Sequence, residues 1–230
     1  MSRLLFLPLL MTLCLCQSAN AGDTWPQFRG PGSAGVVEDD PSLPEVWSAT
    51  QNVAWKVPVP GRAWSSPIVW KDKVFLTSAV QDGETEEPQK GLYLGGERPA
   101  PENQHRWMVY CLDANTGQIL WEREAHKGVP GPRHLKNSYA SETPATDGEL
   151  VYAYFGNTGL FVYDLEGNPK WSKSWDPVEM KSGWGTASSP ILHKNRLYIV
   201  NDNDTQSYMV CLDTKTGEQV WRVDREEKSN

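Results

Sequence analysis

The chain of 230 residues has little of what most function classes require. Cysteine is scarce: there are four, and two of them, Cys14 and Cys16, lie in an N-terminal leader. Histidine is equally sparse, and no His or Cys spacing resembles a zinc site. His126 and His134 flank a Pro/Gly loop, His105 is isolated and His193 sits in a turn. No Lys/Arg-rich run offsets the 22 basic against 29 acidic residues. That net charge of −7 argues against a nucleic-acid binder that works by neutralising phosphates. Gly-x-Ser-x-Gly is missing, so a hydrolase has no support. Long Leu/Ala/Glu/Lys stretches are missing as well, and 19 Gly, 17 Pro and 11 Trp argue against a helix bundle.

The one long apolar run, residues 4–16, follows a positive start at Arg3 and precedes Ala19-Asn20-Ala21. It is shorter than the ~20 residues that cross a bilayer. Residues 1–21 therefore read as a signal peptide cleaved after Ala21, which makes the mature chain periplasmic or secreted, with no transmembrane segment. Loss of Arg3 leaves 21 basic and 29 acidic residues, a charge of −8.

What the chain does have is a repeat. Three segments align from a Pro: Ser66-Pro67 to Leu76, Thr143-Pro144 to Ala153, and Ser189-Pro190 to Ile199. Each carries a polar or Gly turn between two apolar runs, which predicts strand, turn, strand. Downstream, each unit has a β-branched or aromatic run ending in Asp, then a turn, then a Trp. These are Asp113, Gly117 and Trp121; Asp164, Gly167 and Trp171; and Asp213, Gly217 and Trp221. The Asp oxygens suit backbone N–H groups, and Gly supplies the positive φ that closes the turn. These nine residues are expected to be structural. Units of about 62–125, 139–175 and 185–225 would each form a four-stranded antiparallel sheet. Such sheets must stack to cover their faces, and radial stacking makes a β-propeller. The fold class expected is all-β, a partial propeller of about three complete units. Val53-Ala54-Trp55-Lys56-Val57 matches the last strand of a unit and is expected to serve as a closing strand. Cys111 and Cys211 occupy equivalent strand positions with a sheet between them. A separation of ~20 Å at ~10 Å per layer puts them beyond disulfide reach.

The Asp-x-x-Thr-Gly-x-x-x-Trp pattern, complete at 113–121 and 213–221 and lacking its Thr at 164–171, resembles the repeat of pyrroloquinoline-quinone (PQQ)-type propellers. Trp25-Pro26-Gln27-Phe28-Arg29-Gly30-Pro31 and Trp64-Ser65-Ser66-Pro67 resemble exported PQQ-binding-like repeat proteins, related to the assembly factor BamB and to quinoprotein alcohol dehydrogenases. WD40 and kelch signatures do not recur. The resemblance implies a ring of ~4–8 blades. Three units then imply further blades C-terminal to this segment, or closure by self-association.

The dehydrogenases of this group are expected to hold PQQ with a disulfide between adjacent cysteines and calcium on Glu, Asn and Asp. The mature chain has no adjacent Cys pair. Asn201-Asp202-Asn203-Asp204 offers oxygen ligands, but Asn and Asp also favour hairpin tips. No metal and no cofactor are expected, and no catalytic residue is assigned. The links before each aligned Pro join aromatic side chains to hydroxyl residues and cations. Arg62, Trp64, His134, Lys136, Tyr139 and Trp184 are therefore candidates for a ligand or partner site at the channel mouth, the alternative being packing between sheets. The insertion 81–104, rich in Glu, Gly and Pro, reads as a long exposed loop that either contacts a partner or is merely solvated. Three functions stay open: a non-catalytic scaffold binding exported or envelope proteins, part of a PQQ-dependent alcohol or sugar dehydrogenase, or a small-ligand sensor.

Overall fold

The structure is a computed structural model that describes residues 24–83, 99–134 and 136–227. Residues 1–21, expected to form a signal peptide, and most of the 81–104 insertion lie outside the described residues. The described chain folds into three antiparallel sheets, each wound in sequence order from an inner to an outer strand. Sheet one contains β1 (Thr24–Trp25), β2 (Ile68–Trp70), β3 (Lys73–Gln81), β4 (His105–Asp113) and β5 (Ile119–Gly128). Sheet two contains β6 (Ala145–Thr146), β7 (Leu150–Tyr154), β8 (Leu160–Asp164) and β9 (Pro169–Lys173). Sheet three contains β10 (Ile191–His193), β11 (Arg196–Asn201), β12 (Tyr208–Asp213) and β13 (Gln219–Asp224). The innermost repeat strands lie together, with β6 against both β2 and β10. This is the partial propeller, and its three blades match the three repeat units.

Equivalent residues have equivalent registers. Cys111 faces Trp121, Val162 faces Trp171 and Cys211 faces Trp221, and the pairing shifts by a residue just after each of these positions. The Asp turns form as their chemistry requires. Asp113 Oδ1 accepts the N–H groups of Asn115 and Thr116 and the Thr116 hydroxyl, at 2.8–3.0 Å. The Thr216 hydroxyl donates to Asp213 in the same way. In the unit that lacks Thr, the Asn168 side chain donates to Asp164 Oδ2 at 2.9 Å and replaces it.

The indoles join one sheet to the next. Trp121 Nε1 donates to Leu165 O at 2.9 Å and Trp171 Nε1 to Thr214 O at 3.1 Å, each reaching the turn of the following sheet. Below each ring lies that turn's glycine. A Cβ on Gly167 would stand 2.7 Å from the Trp121 ring, and one on Gly217 2.6 Å from Trp171. These glycines are thus required twice, by their positive φ (80° and 71°) and by the ring above them. Trp55 repeats the arrangement on sheet one, donating to Ala114 O at 2.9 Å above Gly117. The 53–57 segment makes no ladder with a neighbouring strand among the described residues. Its Trp55, with Val57 and Val59, nevertheless covers the outer face of sheet one in the manner of a preceding blade. Trp221 stacks against Tyr198 as Trp121 does against Phe75, with centroids 6.0 Å apart in both pairs. Among the described residues no further sheet covers it, and it is 38% exposed beside exposed Val223 and Ile191. Cys111 and Cys211 are both buried and free. Burial pushes the Cys111 thiol up to about 12.

One element has no counterpart in the repeat. The segment beginning at β1 straps the inner edges of all three sheets. Thr24 and Trp25 pair with Trp70 and Val69, Pro26 O accepts from Thr146 N at 2.8 Å, and Gln27 Oε1 accepts from Leu192 N at 2.8 Å. The Trp25-Pro26-Gln27 motif is therefore an axial clasp.

Replacing the half-buried Trp171 by Ala should cost about 3 kcal/mol, the low end of the range for aromatic-to-alanine changes. Trp221→Ala should cost under about 1 kcal/mol, as for a surface change. Urea titration of both variants checks this, and equal costs would mean that the outer face of sheet three is covered in solution. Gln27→Ala should destabilise by about 1–3 kcal/mol by leaving the Leu192 N–H without an acceptor.

Candidate functional site

The links between blades converge on the face opposite the Asp turns, and a relay of hydroxyls organises them. Ser66 N donates to Thr143 Oγ1 and Thr143 N donates to Ser189 Oγ, both at 3.0 Å. The hydroxyls before the second and third aligned Pro thus each accept a hydrogen bond from the preceding unit, which accounts for Thr143 and Ser189. Trp64 N and Ser65 N both donate to Ala140 O, tying the first link to the second. Asn137 ties the second to the third, its Nδ2 donating to Trp184 O at 2.7 Å and to Thr186 O at 3.1 Å. Its Oδ1 also accepts from the Ser141 hydroxyl.

On this frame the six candidates separate. Trp64 (59% exposed) and Trp184 (48% exposed) present open indoles. His134 packs edge-on against Trp184 with centroids 6.0 Å apart, and its Nδ1 accepts from Lys136 N. Tyr139 goes the other way. Its ring packs against Trp107 and His105 within the cluster that joins sheets one and two, and its hydroxyl donates to Gly131 O at 2.9 Å. Burial raises its phenol above the ordinary range. Arg62 exchanges backbone hydrogen bonds with Ala79 of β3, which places it on the wall of sheet one. The face therefore carries a His134–Lys136–Trp184 group and a separate open indole at Trp64, with Tyr139 half-buried against Trp107. No ring contact joins Trp64 to Trp184.

Glu142 is a residue that the motifs did not single out. It is 1% exposed, and its Oε1 has no hydrogen-bond partner. Burial pushes its carboxyl up to about 7, opposed by hydrogen bonds from Thr186 and from backbone amides. Glycine at 156 makes room for the pair, since a Cβ there would meet Thr186 Oγ1 at 1.8 Å and Glu142 Oε1 at 2.9 Å. The aligned repeats did hold a signal: Glu142 stands where the other units have Ser65 and Ser188. Beside it, a cavity of about 120 Å³ lies between sheets two and three, lined by Tyr154, Thr186, Ser188 and Asn201. His105 is buried beneath Tyr139, and burial lowers its pKa.

The Asn201–Asp204 run is occupied by its own turn. Asn203 Oδ1 accepts from Thr205 N and Gln206 N, and its Nδ2 donates to Asn201 O and Gln206 O. Asp202 pairs with Arg225 at 2.8 Å. Among the described residues no three His, Cys, Asp or Glu side chains group to hold a metal. These donors do not fit a calcium-held quinone. Each cysteine sits alone in a strand, and Glu142 is a single carboxyl that burial drives toward its neutral form, whereas calcium takes 6–8 oxygen ligands.

The sequence model of a family described as outer membrane protein assembly factor BamB matches residues 104–224. No curated protein matches the chain significantly. Among solved structures, the chain is similar to quinohemoprotein alcohol dehydrogenase ADHIIG from Pseudomonas putida HK5. The identity is 17%, with 74% of this chain and 22% of that one covered at a TM-score of 0.44. For BamB from Moraxella catarrhalis the identity is 19%, with coverage of 52% and 33% and a TM-score of 0.35. For quinohemoprotein alcohol dehydrogenase from Comamonas testosteroni it is 14%, with coverage of 72% and 21% and a TM-score of 0.43. The chain spans about a fifth to a third of the length of these proteins.

Glu142 makes stability pH-dependent in a defined direction. Its folded pKa lies above the unfolded value of 4.5, so the folded state holds the proton more tightly. Its contribution is complete below pH 4.5 and is lost as pH rises through about 7, a change of roughly 3 kcal/mol. Thermal unfolding from about pH 5 to about pH 8 should show the wild type declining and Glu142→Gln holding level over that window.

Proposed function

Because the chain belongs to the PQQ-repeat family described as outer membrane protein assembly factor BamB, we propose that it is an exported, non-catalytic propeller module that binds other envelope proteins. The observation that carries this reading is the open indole at Trp64 and the His134–Lys136–Trp184 group on the link face. Trp side chains are enriched where protein interfaces gain most of their energy. The backbone beneath them is held by the Asn137 bridge and the hydroxyl relay, so the rings are presented on a rigid platform. A preorganised aromatic surface binds a partner at low ordering cost. No described helix is long and apolar enough to cross a membrane. With residues 1–21 acting as a signal peptide, the module would work in the periplasm or outside the cell, on exported partners.

Photo-crosslinking from positions 64 and 184 in the cell envelope should capture one or a few discrete exported proteins. The double variant Trp64→Ala, Trp184→Ala should lose that partner by about tenfold or more in affinity, as for hot-spot removal, with its thermal midpoint nearly unchanged. A thermal midpoint raised by PQQ with calcium would favour the dehydrogenase reading and count against this one.

A further inference from the structure

Residues 129–133 and 138–139 border a cavity of about 280 Å³ at the junction of sheets one and two. That is close to the lower bound of about 300 Å³ for small-molecule clefts. Its walls are aromatic. Trp107 and Tyr139 lie with centroids 6.2 Å apart, His126 is 5.2 Å from Trp107, and Phe155 completes the wall. One charge borders it, Arg133, whose guanidinium carbon sits 4.8 Å from the Tyr139 ring centroid. Arg133 Nη1 donates to Asn137 O at 2.7 Å and to His134 O at 3.3 Å, so the group is held in place. Its Nε is shielded from solvent, and no protein acceptor reaches it.

The remaining charges around this group leave its positive sign uncancelled. No Asp or Glu lines the cavity. His105, packed edge-on to Tyr139 at 4.9 Å, is kept toward its neutral form by burial. The Tyr139 phenol stays protonated and gives its proton to Gly131 O. Of the other polar walls, Ser138, Asn157, Thr158 and Thr186 carry no charge, and the imidazole of His126 adds no negative one. A guanidinium fixed beside aromatic faces, with no carboxylate lining the cavity, is matched by an anion joined to a flat apolar body.

We propose that this cavity binds a small organic carboxylate with a flat apolar body, its carboxylate on Arg133 and its body among Trp107, Tyr139 and Phe155. The site lies beside the exposed indoles and does not depend on the protein-binding reading.

The probe pair is 3-phenylpropionate and 3-phenylpropanol, which share one body and differ in charge, measured on the mature chain by calorimetry and Trp fluorescence. The acid should bind in the millimolar range or tighter and at least tenfold more tightly than the alcohol. Arg133→Met should weaken the acid tenfold or more and leave the alcohol unchanged. Equal binding of acid and alcohol by the unmodified chain, or no binding of the acid, would overturn the proposal whether or not the variant folds. Inorganic phosphate competing as strongly as the acid would also overturn it, because the apolar body would then contribute nothing.

Discussion

Three indoles, Trp55, Trp121 and Trp171, each rest on a glycine of the sheet that follows and donate to a carbonyl in the same turn. This contact makes a stack out of separate sheets. An isolated four-stranded sheet leaves two apolar faces in water, and the stacked ring removes both its own surface and that of the turn beneath it. The hydrogen bond makes the contact directional, so neighbouring sheets lock at one offset. Glycine below and indole above are therefore one feature, although they lie 46 to 62 residues apart. Where the following turn is lacking, at Trp221, the ring keeps its own-sheet partner and loses its cover.

At the axis, where short inner strands offer little surface to bury, polar contacts take over. The clasp of Thr24 to Gln27 gives each sheet an acceptor or a pairing partner, and the Ser66–Thr143–Ser189 relay passes a hydrogen bond from unit to unit. Together they hold the links still. The open indoles and the Arg133 cavity both stand on those links, so the recognition chemistry inherits its rigidity from backbone groups satisfied across units.

Much of this was written in the chain at short range. Asp, Gly and Trp at matched spacing declare strand ends, turns and the face that is buried, because each answers a local demand: an acceptor for turn amides, a positive φ, an apolar wedge. The candidate surface was only partly readable. Trp64 and Trp184 stand exposed on their links, but Tyr139, of the same kind and at a like position, turns inward onto Trp107. A bulky ring next to Ser and Ala suits either environment. Which one it enters depends on whether a neighbouring sheet offers a hole, and nothing in the link states that. Glu142 was visible only as a departure from Ser in aligned copies, and Arg133 not at all.

From residue order alone came the all-β class, the number of units, their strand register and the separation of the two strand cysteines. Each follows from contacts within one unit or from copying that unit. Folding in three dimensions decided which rings are open, where the Arg133 guanidinium stands against aromatic walls, and that residues 24–27 clasp all three blades. Those outcomes arise between units, where residues distant in sequence compete for the same space and the same hydrogen-bonding groups. No local pattern encodes the winner.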